Sequence, residues 1–367
     1  MATISLTRRL HLDKPLLYAI GILAIVSLFV MYSASTQKAG VVFGHVLRLG
    51  IGFIFMIVIA QISPENMKRW APHVFAVGFL LLIVVLVVGV IRKGAQSWFD
   101  FGIVAFQPAE VMKLAVPLLL AWYFSKMELP PKLPKILLAL GIVIVPVILV
   151  AKQPDLGTAI MILGTGLAII FLAGIRWATI IILVLLLSVA SYFLWDLAWD
   201  NLRPYQQLRI LTVLGLEDDP LGTGYHAIQS TIAVGSGGFF GKGWLNGSQV
   251  HLKFLPEPEN DFIFAVFAEE FGFFGALLLI AVFLFIIGRC LMIAFYAQDT
   301  FNRLMASSLT VTFFLYFFVN IGMVIGILPV VGVPLPIISK GGSSIVTLMI
   351  SFGILMSIQT HRKIMQH

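Results

Sequence analysis

Long apolar runs separated by short polar breaks set the pattern of this chain, and ten are counted. They are Leu16 to Met31, Val46 to Ile62, Val74 to Ile91, Val111 to Phe124 and Ile136 to Ala151, then Thr158 to Ala173, Ala178 to Leu194, Phe262 to Gly288, Leu304 to Leu328 and Ile345 to Ile358. A bilayer core takes about 20 residues of helix, and tilt or fraying moves such boundaries by several residues. The pattern predicts an all-α polytopic membrane protein of about ten transmembrane helices, read as one domain over residues 1–367. An even count puts both termini on the same side. Arg8 and Arg9 before the first run and Ser33-Ala34-Ser35 after it resemble a cleaved leader. The run's length and the spans that follow favour a retained first helix.

Composition agrees with this reading. Hydrophobic residues make up 60% of 367 positions and charged residues 11%, against about a quarter charged in soluble domains. The net charge of +7 is a topology signal and no evidence for nucleic acid. Arg8, Arg9 and Lys14 lie before the first span, Arg362 and Lys363 after the last. The connections on that side carry Lys68, Arg69, Lys126, Lys132, Lys135, Arg176, Arg289 and Arg303, against only Asp13, Glu65, Glu128 and Asp299. By the positive-inside rule both termini are cytoplasmic and the acids collect on the outward face. The single Cys290 excludes an internal disulfide and reads as a buried structural thiol. The seven histidines show no zinc-ligand spacing.

The outward face carries the candidate chemistry. Residues 195–260, between the seventh and eighth spans, form one large loop, too polar to cross and too long for an idle connection. It holds Arg203 and Arg209, each a candidate for phosphate contact, and the run Gly235-Ser236-Gly237-Gly238-Phe239-Phe240-Gly241-Lys242-Gly243. Glycines this dense suit either an anion cradle or a turn-rich Ω-like loop; Lys242 within them is a candidate substrate contact.

Asp261 opens the eighth span, followed by Glu269 and Glu270 inside it. Ionisable groups at membrane depth are functional candidates by default. Asp261 could instead cap the helix, but three acids exceed what capping requires and imply a cation, a substrate or a basic partner such as Arg203, Arg209 or Lys113. Gln107-Pro108-Ala109-Glu110 and Gln153-Pro154-Asp155 open two other spans. Glu110 and Asp155 could be simple helix-start acids. Lys113, three residues after Glu110, shares its helix face and predicts an intramembrane ion pair. The last outward loop, rich in Pro and Gly from Leu328 to Pro336, continues through Ser339-Lys340-Gly341-Gly342-Ser343. Broken helix at that depth requires a protein- or water-lined cavity, and Ser343 is a further candidate substrate contact.

These blocks resemble the bacterial shape, elongation, division and sporulation (SEDS) family, which includes RodA, FtsW and SpoVE. The resemblance runs over nearly the whole chain. It rests on Lys93-Gly94-Ala95-Gln96-Ser97-Trp98, the two Gln-Pro helix starts and Asp219-Pro220-Leu221-Gly222-Thr223-Gly224-Tyr225-His226. It continues through the Gly-rich run, Phe254-Leu255-Pro256-Glu257, Asn260-Asp261-Phe262-Ile263-Phe264-Ala265 and Gly326-Ile327-Leu328-Pro329. Short tails and Leu245-Asn246-Gly247-Ser248-Gln249 resemble the RodA branch. The resemblance implies a peptidoglycan glycosyltransferase of the bacterial cytoplasmic (inner) membrane that polymerises lipid II on its periplasmic or outer side. It also implies a class B penicillin-binding protein as partner and an elongation machinery that includes MreB. Asp261 matches the family's catalytic aspartate; Glu110, Lys113 and Asp155 match its other functional positions. No cofactor is implied with certainty, and a divalent cation such as Mg2+ is compatible. A flippase for lipid-linked precursors and a non-catalytic scaffold for the penicillin-binding protein are the alternatives. Two departures from the family pattern stand out: Pro258-Glu259-Asn260 replaces a segment that often carries a basic residue or His and a Thr, and Lys340 replaces a tyrosine.

Overall fold

The structure, a computed structural model, describes residues 10–92, 95–100, 105–175, 223–252, 254–255 and 257–361, with scattered positions between 181 and 207. Its helices are α1 (Lys14–Ala34), α2 (Ala39–Ala60), α3 (Pro64–Val88), α4 (Pro108–Phe124), α5 (Leu133–Lys152) and α6 (Leu156–Leu172). They continue with α7 (Thr223–Ser236), the single turn α8 (Ser248–His251), α9 (Ile263–Phe295), α10 (Thr300–Val324) and α11 (Gly342–Thr360). Seven of the described helices are long and apolar enough to cross a bilayer; α6 is a shorter apolar helix, and α4 has 17 residues. The expected span Ala178 to Leu194 lies largely outside the described residues.

Prolines open α3 and α4, where a missing N–H costs nothing. Asp13, Asp155 and Asp299 cap α1, α6 and α10 by accepting from the N–H of Leu16, Thr158 and Asn302. Central helices α4, α10 and α11 are mostly buried, whereas α2, α3 and α5 turn most of their surface outward. In lipid, small residues permit close helix packing. Gly52 of α2 lies against Met349 of α11, and Gly353 of α11 against the backbone of Met56.

The bundle has two distinct ends. At one, His11 stacks on His361 with ring centroids 4.1 Å apart, and Asp13 pairs with Arg289 at 2.6 Å. The opposite end gathers the starts of α4, α6, α9 and α11 and is called the site end below. There a small antiparallel sheet, β1 (Val90–Arg92), β2 (Ala95–Asp100) and β3 (Ala105–Phe106), joins α3 to α4. Val90 pairs with Trp98 and Phe99 with Phe106. The hydropathy pattern gave no strand here, because strands this short leave no periodic signal beside an apolar span.

One expected span is interrupted. Gly272 takes φ +69° and ψ −169° inside α9, a backbone conformation outside the helical region. The break separates a buried segment at the site end from a longer outer rod.

Candidate active site

The break at Gly272 and the Gly-rich run explain each other. Lys242 and Gly243 donate backbone N–H to the carbonyls of Glu269 and Glu270 at 3.0 Å, while Phe273 and Phe274 donate to Gly238 and Phe239 at 2.9 and 3.1 Å. These bonds satisfy backbone groups freed where the helix breaks, as membrane depth demands. A Cβ on Gly241 would lie 2.1 Å from the Glu270 carbonyl oxygen, and one on Gly272 would lie 2.2 Å from the Gly241 nitrogen. The glycines thus serve backbone-on-backbone contact, which is the loop reading rather than the anion cradle.

Glu269 is fully buried and accepts from Lys242 Nζ at 2.6 Å, from the Ser248 hydroxyl and N–H at 2.9 Å, and from the Gln249 N–H at 3.2 Å. Among the described residues its basic partner is Lys242, while Lys113 pairs with Glu110. Lys242 also donates to Ser236 and Ser248, so the expected substrate contact is engaged within the protein. Glu270 accepts from the Ser33 hydroxyl of α1 and the Leu245 N–H. Both acids hold the loop to the half-helix.

Asp261 is placed differently. The N-cap of α9 falls on Phe262, one residue beyond it. Asp261 is half-buried at the helix mouth. Asn320 of α10 ties its carbonyl at 2.9 Å and the Val333 carbonyl at 2.8 Å through one amide group. Gly332, at φ +74°, brings a backbone with no side chain beside the carboxylate, and a Cβ there would lie 3.5 Å from Oδ2. The same loop contacts α6, where a Cβ on Gly157 would meet the Val331 carbonyl oxygen at 2.5 Å. Asp155 caps that helix and accepts from Gln107 Nε2 at 2.5 Å, which matches its helix-start reading.

The predicted Glu110–Lys113 pair forms at 2.7 Å inside the bundle. The hydropathy pattern missed a third member: Lys113 also donates to the Tyr316 hydroxyl at 2.6 Å, and all three side chains are buried. Thr312, Tyr316 and Asn320 recur every four residues along one face of apolar α10, a signal that could have marked them. Ser339 was also missed; its hydroxyl donates to the Asn260 carbonyl at 2.6 Å and accepts from Leu335.

The two departures from the family pattern meet. Lys340 Nζ lies 2.5 Å from Glu259, and the Lys340 N–H donates to the Glu259 carbonyl at 2.9 Å. The added acid and the added base thus neutralise each other at the mouth. Ser343 is half-buried in the first turn of α11, and its carbonyl accepts from Thr347. Arg203 and Arg209 lie outside the described residues. Among the described residues no three His, Cys, Asp or Glu side chains group as a metal site. A cavity of about 500 Å3 on the flank between α1 and α9 is lined by Val26, Phe29, Trp244, Phe267, Phe271 and Leu278 and presents almost no polar surface.

Fold and site define a polytopic membrane protein with a carboxylate-bearing mouth at one end of its helix bundle. The family model for the FtsW, RodA and SpoVE cell cycle proteins matches residues 10–364, and this chain belongs to that family. The peptidoglycan glycosyltransferase MrdB of Escherichia coli (strain K12) is 47% identical over 97% of this chain and 96% of its own. The stage V sporulation protein E of Bacillus subtilis (strain 168) is 34% identical over 97% of this chain and 99% of its own. Among solved structures, a chain from a peptidoglycan synthase complex that coordinates polymerization and crosslinking superposes with a TM-score of 0.83 at 28% identity, covering 96% of this chain and 99% of that one. The Thermus thermophilus rod shape determining protein RodA shares the fold, with a TM-score of 0.71 at 24% identity over 96% of this chain and 98% of its own.

Proposed function

We propose that this chain is a peptidoglycan glycosyltransferase that polymerises lipid II, with Asp261 as general base. The observation that carries the assignment is the half-buried Asp261 carboxylate at the mouth of α9. Its backbone is fixed by Asn320, and bare Gly332 backbone stands beside its oxygen. Glu269 and Glu270, by contrast, are fully buried. The names of the relatives support the reaction class.

In the proposed step, the 4-hydroxyl of the acceptor sugar attacks the anomeric carbon of the other chain's terminal sugar from the face opposite the diphosphate. Asp261 takes the hydroxyl proton as the new C–O bond forms. The bond from the anomeric carbon to the diphosphate oxygen breaks, and undecaprenyl diphosphate leaves with the electron pair. Cationic groups near the departing diphosphate lower the barrier; Arg203 and Arg209 are proposed for that role. The buried Glu110–Lys113–Tyr316 cluster ties α4 to α10, the helix that carries Asn320, and so acts on Asp261 through position.

The site end faces the periplasm or cell exterior in this reading, with both termini in the cytoplasm. A class B penicillin-binding protein cross-links the product, and the pair works within MreB-directed elongation. The test is purified protein with its partner, given labelled lipid II in liposomes. Glycan polymer is the expected product. Movement of lipid II between leaflets without polymer would establish a transporter, and neither activity despite firm partner binding would leave a scaffold.

A further inference from the structure

Arg48 stands about 13 Å along α2 from its start at the site end, taking roughly 1.5 Å per residue. Among the described residues no carboxylate forms an ion pair with it, and its Nη1 is buried with no hydrogen-bond partner. Lys113 of α4, by contrast, has Glu110 and Tyr316. Arg48 is part-buried as a whole, and a guanidinium held in a span without an acid calls for another anion.

The surroundings show where that anion would sit. Helical side chains lean toward the N-terminus of their helix, and α2 begins at the site end. The guanidinium lies over Gly44, one turn nearer that end, whose Cβ position is 3.7 Å from Nη1. Across the seam, Arg48 Nε lies 3.9 Å from the Cβ position of Gly342, in the first turn of the 19-residue helix α11. The N-cap of α11 is Gly341, which makes no side-chain cap bond, so the orphan N–H groups of that turn lack a capping oxygen. The loop leading to this turn is the one that lies beside Asp261 at Gly332 and bonds Asn260 and Glu259 through Ser339 and Lys340.

We propose that Arg48 and the first turn of α11 bind the phosphate of a membrane lipid at the edge of the Asp261 site. Arginine's planar fork matches phosphate oxygens bidentately, and a helix N-terminus favours the same anion. Two lipids carry that chemistry: the polyprenyl diphosphate of the sugar substrate, and an anionic phospholipid. The first source rests on the glycosyltransferase reading; the second does not.

The experiment places wild type, Arg48→Lys and Arg48→Leu in nanodiscs and titrates undecaprenyl diphosphate and, separately, phosphatidylglycerol. Melting temperature and co-purification of the partner control for folding. Arg48→Lys is expected to weaken undecaprenyl diphosphate about tenfold and Arg48→Leu more, with phosphatidylglycerol unaffected. A loss confined to phosphatidylglycerol would assign the same phosphate site to a headgroup. Folded variants that bind both lipids like wild type would overturn the proposal. Binding is read without turnover, so the two readings separate. Wild type that makes no glycan yet loses lipid with Arg48 refutes the enzyme alone, and glycan synthesis unaltered in both variants with unaltered binding refutes Arg48 alone.

Discussion

Asp261 and Glu269 are eight residues apart on one stretch of chain, yet their surroundings divide them. Glu269 is 0% exposed and ringed by Lys242, Ser248 and Gln249, all from the Gly-rich segment and its continuation. Asp261 is half-buried at the mouth, with its backbone held by Asn320 and its carboxylate beside Gly332. A carboxylate ringed by protein donors has its oxygens committed to holding the fold. One half-buried at a mouth is placed where a substrate hydroxyl can approach. The difference teaches that acidity within a span marks a region of interest, while depth and exposure separate the acid that holds the fold from the acid at the mouth.

The largest effect on stability is expected at the buried acid. Glu269→Ala removes the acceptor for Lys242 and for two backbone N–H groups, and should cost about 3–5 kcal/mol. Thermal melts in detergent measure this, and a variant as stable as wild type would erase the contrast with Asp261. Next comes the buried pair. Lys113→Met strands Glu110 and should cost about 2–4 kcal/mol, whereas the double change Glu110→Leu with Lys113→Met should recover part of that loss. Additive losses in a double-mutant cycle would show that the two side chains are not coupled. The smallest effect belongs to Glu259–Lys340, which is half in water at 20% and 35% side-chain exposure. Its coupling should be about 0.2–1 kcal/mol and shrink with salt. Exchanging the two charges should restore most of what either single reversal loses.

Much of this was legible along the chain, for identifiable reasons. Uninterrupted apolar runs specify spans, so most described crossings fall where the pattern puts them. The Glu110–Lys113 pair follows from three-residue spacing on a helix. Tyr316, 203 residues from Lys113, joins the pair only through the packing of α4 on α10. Gly272 lies inside a single apolar run, and its break depends on backbone donors from residues 238–243, which no local rule reveals. Lys242 showed a basic side chain among glycines but not its acid partner in α9. Glu259 and Lys340, 81 residues apart, were visible as departures without any sign that they touch. Arg48 was one basic residue inside an apolar run, and only the absence of an acid partner around it gave it meaning.

The central claim is that Asp261, alone among the acids of this stretch, takes part in the reaction. The direct measurement is the rate of glycan synthesis from lipid II by purified Asp261→Asn with its partner, alongside its melting temperature and lipid II affinity. The account predicts a rate about 10²–10⁴-fold below wild type, with melting and affinity unchanged. Polymerisation at the wild-type rate by the folded variant would contradict it.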